Sequence, residues 1–86
     1  MSRGVRIAKR VLKVTGLGES ALDDMIAPIY KQYTNPSTTI LFTDSEIEIH
    51  LTATAETAAR AEEIAEELTA KLAEFDNLKP AALPVG

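Results

Sequence analysis

His50 is the single histidine of this chain, and Glu48 and Glu46 stand two and four residues before it. On an extended strand these three side chains share one face. An imidazole beside carboxylates suggests a metal site or an acid–base pair. A metal would want a second nitrogen ligand or a more convergent carboxylate set. The spacing therefore predicts a solvated histidine on a polar strand face and no metal. A second constellation is Gly16-Leu17-Gly18-Glu19-Ser20, a glycine turn running into a helix start. Such a turn can present backbone N–H groups to a phosphate. That makes Gly16, Gly18, Glu19 and Ser20 candidates for the edge of a ligand site. Glu19 opposes an anion there, and two glycines at this spacing make neither a Walker loop nor a dinucleotide fingerprint. A tight turn with Ser20 as helix N-cap accounts for the same residues. Ser20 has no base in reach as a nucleophile, since His50 falls on the exposed strand face. Glu56, Glu62, Glu63, Glu66, Glu67 and Glu74 fall at helical spacing, mostly on a solvated face, and are not an acid–base pair. The residues predict no catalytic group and no cofactor.

Composition narrows the classes further. The chain has 86 residues, room for one domain with a modest core. Cysteine is absent, which excludes disulfides, thiol nucleophiles and cysteine-ligated metals, and fits a cytoplasmic protein. There is no apolar run of the roughly 18 residues that a membrane span requires. The N-terminal residues carry charge with no apolar stretch behind it, unlike a secretory signal. Net charge is −4, unevenly spread. Residues 1–13 hold five bases and no acid, whereas the remainder holds 13 acids and four bases. A phosphate-backbone binder needs positive charge on its body, so nucleic acid is disfavoured as a partner. The basic segment reads as a solvated strand lead-in, with the chain's own acidic second helix within its reach.

These residues need positioning elements. Val5 to Thr15 is β-branched and partly alternating, a strand with Leu12 and Val14 on one side. A helix follows from Ser20, with an apolar stripe of Leu22, Met25, Ile26, Ile29, Tyr30 and Tyr33. Pro28 interrupts it and predicts a kink. Asn35-Pro36 ends it. Ser37 to Thr43 and Glu46 to Ala53 alternate across an Asp44-Ser45 turn, an antiparallel hairpin. Ile47, Ile49, Leu51 and Ala53 point inward. A long helix then spans Ala55 to Phe75, capped by Thr54, with Glu56–Arg60 and Glu67–Lys71 as i,i+4 pairs. A right-handed β-α-β crossover makes the first two strands parallel, with the third filling the gap between them. The expected fold is α+β, β-α-β-β-α, a three-stranded mixed sheet of order 1-3-2 with both helices on one face, half of a ferredoxin-like or KH-like shape. Residues 1–9 are a basic lead-in and the start of the first strand, 10–76 the domain, and 77–86 a tail or linker. An edge strand at Leu83–Val85 would be its one regular piece.

Three patches carry a resemblance to a known family. They are Val11-Leu12-Lys13 running into Gly16-Leu17-Gly18-Glu19-Ser20-Ala21-Leu22, Asn35-Pro36-Ser37, and Glu48-Ile49-His50-Leu51-Thr52-Ala53 followed by an alanine- and glutamate-rich helix. Together, over roughly residues 10–75, they resemble the KH-like middle domain of the competence/damage-inducible CinA family. Asn77 to Leu83 differs from that family's usual closing segment. The resemblance implies a parent with an N-terminal nucleotide (ADP-ribose) pyrophosphatase-like domain and, in many members, a C-terminal nicotinamide mononucleotide deamidase. This chain would then be the non-catalytic linker and movable cover between them, with the neighbouring catalytic domain as its partner.

Two other classes remain beside that reading. One is a stand-alone ligand-sensing module of ferredoxin-like shape. The other is a KH-type RNA binder, weakened because RNA-binding KH domains use a Gly-x-x-Gly loop and none occurs here. The open sheet face offers Leu41, Glu48 and His50 as interaction residues, for docking a partner or forming a homodimer.

Overall fold

The computed structural model describes residues 4–43 and 46–81. Six elements follow in order: β1 (Arg6–Val14), α1 (Glu19–Tyr30), β2 (Ser37–Phe42), β3 (Ile47–Ala55), α2 (Ala58–Leu72) and β4 (Leu78–Ala81). The fold is α+β, with sheet order β2-β3-β1-β4. As expected, β3 lies between β1 and β2 and is antiparallel to both. The expectation of three strands needs correction. A fourth, β4, adds antiparallel to β1, so every ladder is antiparallel and none is of the mixed kind. The reason is that Leu78 is apolar and pairs with Val14, burying completely in the core, while Pro80 sits on an edge strand, where a missing N–H is tolerated. Leu83–Val85 and the Asp44-Ser45 turn lie outside the described residues.

Both helices cover one face of the sheet. Leu12, Val14, Ile49, Leu51 and Leu78 from the strands meet Leu22 and Ile26 of α1 and Leu68 and Leu72 of α2 in one core. A second cluster joins Ala8 of β1 and Ala53 of β3 to Ala61 and Ala65 of α2. Small residues on both sides let this end of α2 lie close to the sheet, where larger side chains would hold it away.

The boundaries of α2 move inward from the sequence expectation, whereas α1 starts earlier, at Glu19. Thr57, not Thr54, caps α2: its hydroxyl accepts from the Arg60 N–H at 3.1 Å. Thr54 is instead part of β3 and is bound by Asn35 on both backbone groups. Cross-strand pairing of β3 with β1 extends to Ala55 and holds these residues extended. Glu56 thus precedes the helix, and Arg60 pairs with Glu63 at 3.0 Å. In α1, Gly18 is the N-cap residue, without a side-chain hydrogen bond, and Ser20 is one residue inside the helix. Pro28 lies within α1. The Tyr30 hydroxyl donates to Asp23 at 3.2 Å and the Tyr33 hydroxyl to Glu67 of α2 at 3.2 Å. No helix among the described residues is long and apolar enough to cross a membrane.

Candidate functional site

The glycine turn is built by an asparagine that sequence reasoning passed over. At the end of β1, Thr15 N–H donates to the Asn77 carbonyl at 2.9 Å. The Asn77 side-chain amide donates back to the Thr15 carbonyl at 2.7 Å. This reciprocal latch ties the β1–α1 turn to the residue that precedes β4. Gly16 follows directly with φ +72°, in the left-handed region. A Cβ placed there would stand 3.1 Å from the Asn77 amide nitrogen. Two independent constraints, backbone conformation and close approach, therefore select glycine. Gly18 is extended at φ −85°, and a Cβ there would meet nothing within 4 Å. Its carbonyl accepts the first helical bond, from Leu22 N–H at 3.0 Å.

Beside this turn lies an open depression of about 440 Å³, lined by Lys13, Val14, Thr15, Gly16, Leu17, Glu46 and Ile47. Its charged groups are already paired, Lys13 Nζ lying 3.4 Å from Glu46. Of the four ligand-edge candidates, Gly16 lines the depression. Gly18, Glu19 and Ser20 continue from it into the first turn of α1 and do not line it. Glu19 sits where a carboxylate favours the positive end of the helix dipole.

The three interaction-face candidates fall on the sheet face opposite the helices. Register places Leu41 of β2 across from Glu48 of β3, and Glu48 across from Lys13 of β1, which pairs in turn with Lys79 of β4. The next outward row is Thr39, His50, Val11 and Ala81. His50 is half-buried rather than freely solvated, and its Nε2 lies 2.9 Å from Glu48 Oε1. Lys13 approaches the other Glu48 oxygen at 4.0 Å. Glu48 is thus spoken for from two sides. Among the described residues no three histidine, cysteine, aspartate or glutamate side chains converge as metal ligands would. The cationic strand β1 also reaches α2. Arg10 Nε lies 3.3 Å from Glu66 and its terminal nitrogen 3.9 Å from Glu62, so the basic segment does touch the chain's own acidic helix.

Residues 9–75 match the family model of the damage-inducible protein CinA KH domain. The chain belongs to the CinA family. It is similar to a CinA-like protein of Solibacter usitatus, 46% identical over 57 residues, covering 66% of the chain and 14% of the relative. A CinA-like protein of Koribacter versatilis is 42% identical over 66 residues, covering 77% of the chain and 16% of the relative. A relative in Lysinibacillus sphaericus, named for competence-damage induction, is 33% identical over 78 residues, covering 91% of the chain and 18% of its own length. The chain therefore spans less than a fifth of the CinA relatives it matches and corresponds to one KH domain within them. The patches that carried the resemblance are those at the latch, at the Asn35–Thr54 link and along β3. Asn35 ties the second patch to Thr54 at the end of the third, and Asn77, the residue before β4, binds the first, through side-chain to backbone bonds across sequence separations of 19 and 62 residues, which no local pattern signals.

Proposed function

We propose that this KH domain is a non-catalytic, cytoplasmic linking and covering module of a larger CinA protein, working against a neighbouring catalytic domain. The observation that carries the reading is the share of the relatives it represents: 14–18% of their length, leaving most of each relative outside the matched region. Support comes from the one-sided build, since the helices occupy one face of the sheet and, among the described residues, leave the Leu41, Glu48 and His50 face uncovered. In this reading the glycine turn, Gly16 to Ser20, forms an edge that approaches a nucleotide held by the partner domain, and contributes shape rather than chemistry. The parent's activities would be ADP-ribose pyrophosphatase and nicotinamide mononucleotide deamidase, both belonging to other domains.

The test is the affinity of this chain for a separately expressed CinA nucleotide domain, with and without ADP-ribose, by titration calorimetry. A cover that closes over the site binds more tightly when the nucleotide is present. Absence of binding in both conditions would refute the covering role. A salt-dependent affinity for single-stranded RNA in a parallel titration would point to an RNA-binding role instead.

A further inference from the structure

The two exposed apolar side chains of β2 point to opposite sides of the sheet. Leu41 is 42% exposed on the open face and Phe42 is 50% exposed on the helix side. No partner lying on a single face can cover both. A strand added along the edge of β2 that is unpaired among the described residues can, because its own side chains flank the edge above and below.

The sequence of that edge narrows the occupant. Ser37-Thr38-Thr39-Ile40-Leu41-Phe42 has no charge and no proline, and is rich in β-branched and aromatic residues. The other described edges are blunted in the usual ways. Strand β4 carries Lys79 and Pro80, and the part of β1 beyond its pairing with β4 carries Arg6, Lys9 and Arg10. In a chain of net charge −4, most surfaces brought against their own copies would oppose like charges, and this edge would not. We propose that β2 pairs antiparallel with β2 of a second copy about a two-fold axis normal to the sheet.

That symmetry places like faces together and makes the contact isologous and closed. Of the face-matched registers that keep Phe42 inside the ladder, the one centred on Ile40 pairs the most residues of β2. There Ile40 opposes its own copy, Leu41 opposes Thr39, and Phe42 opposes Thr38. The resulting sheet has eight strands, with all four helices on one side. A ladder of five residues from each copy, Thr38 to Phe42, roughly 17 Å long at about 3.4 Å per residue, is at the small end of specific interfaces. Half-association is therefore expected at a chain concentration on the order of 0.1–1 mM. This pairing goes beyond the proposed covering role and is tested without any partner domain, so each can fail separately.

The experiment is sedimentation equilibrium of the whole chain, from roughly 10 µM to 1 mM. The expected result is a monomer–dimer equilibrium with no larger species. Two double variants set the register. Thr39→Lys with Leu41→Lys places like charges opposite one another twice across the axis. Thr39→Glu with Leu41→Lys places opposite charges there twice. The first should weaken association at least about tenfold relative to the second. Circular dichroism checks that both variants fold. Ile7→Lys, on the open face of β1 and away from this edge, should leave association unchanged. A monomer throughout the range, an open-ended polymer, or equal association of the two double variants would overturn the proposal.

Discussion

Substituting Gly16 by alanine is the sharpest probe of the latch at the glycine turn. Holding an L-residue at φ +72° costs about 1–2 kcal/mol. Against this, alanine removes chain entropy from the unfolded state and returns about 0.4–1 kcal/mol. The geometry adds a further penalty. The new methyl would lie 3.1 Å from the Asn77 amide nitrogen, which must give by a few tenths of an ångström. That nitrogen makes the 2.7 Å bond to the Thr15 carbonyl, and losing such a bond costs about 1 kcal/mol. The net expectation is a loss of about 1–2 kcal/mol. For a domain of this size each kcal/mol lowers the melting temperature by roughly 4–8 °C. Urea unfolding followed by circular dichroism measures it, with the slope against denaturant unchanged. Gly18 is the internal control. Its backbone is extended and its Cβ direction empty, so Gly18→Ser supplies the missing cap at no steric cost and should stabilise by a few tenths of a kcal/mol. In an Asn77→Ala background the Gly16→Ala penalty should shrink toward its backbone part, a coupling of about 0.5–1 kcal/mol. A Gly16→Ala chain as stable as the parent, or a penalty unchanged without the Asn77 side chain, would refute the argument.

Three further outcomes are expected. Thr57→Ala should cost about 0.5–2 kcal/mol in thermal or urea unfolding by removing the α2 cap, whereas Ser20→Ala, which removes no cap, should fall within about 0.5 kcal/mol of the parent. Arg10→Ala should lose no more than about 1 kcal/mol, because Glu62 and Glu66 are largely exposed, and most of that difference should vanish in about 1 M salt. Partial burial raises the Tyr30 pKa above its ordinary value of 10.0, and the hydrogen bond to Asp23 and that carboxylate's charge push the same way. Since the raised value belongs to the folded state, the neutral phenol contributes stability that is fully present below the unfolded pKa and fades as pH climbs through the folded one. Phenolate absorbance should show one tyrosine titrating late, and Asp23→Asn should bring it earlier.

The alternation of Ile47, Ile49, Leu51 and Ala53 settles by itself that β3 is a strand with one buried face. A right-handed crossover makes β1 and β2 parallel and lets β3 fill a gap between them, whereas the ladders of the folded sheet decide that it does. The stripe of Leu22, Ile26, Leu68 and Leu72 likewise declares two helices for one core, and the patches around Gly16 and Ile49 carry the family. What local pattern could not supply is anything decided between distant residues. Strand β4 exists because Leu78 fills the core beside Val14, a pairing 64 positions apart whose short segment has no alternation to read. Thr54 stays in β3 because β1 and Asn35 hold its backbone, so the cap falls to Thr57. The same limit applies to the candidate site. Gly16 was legible as a turn glycine, but its need for glycine rests on Asn77, which only the folded sheet brings alongside it.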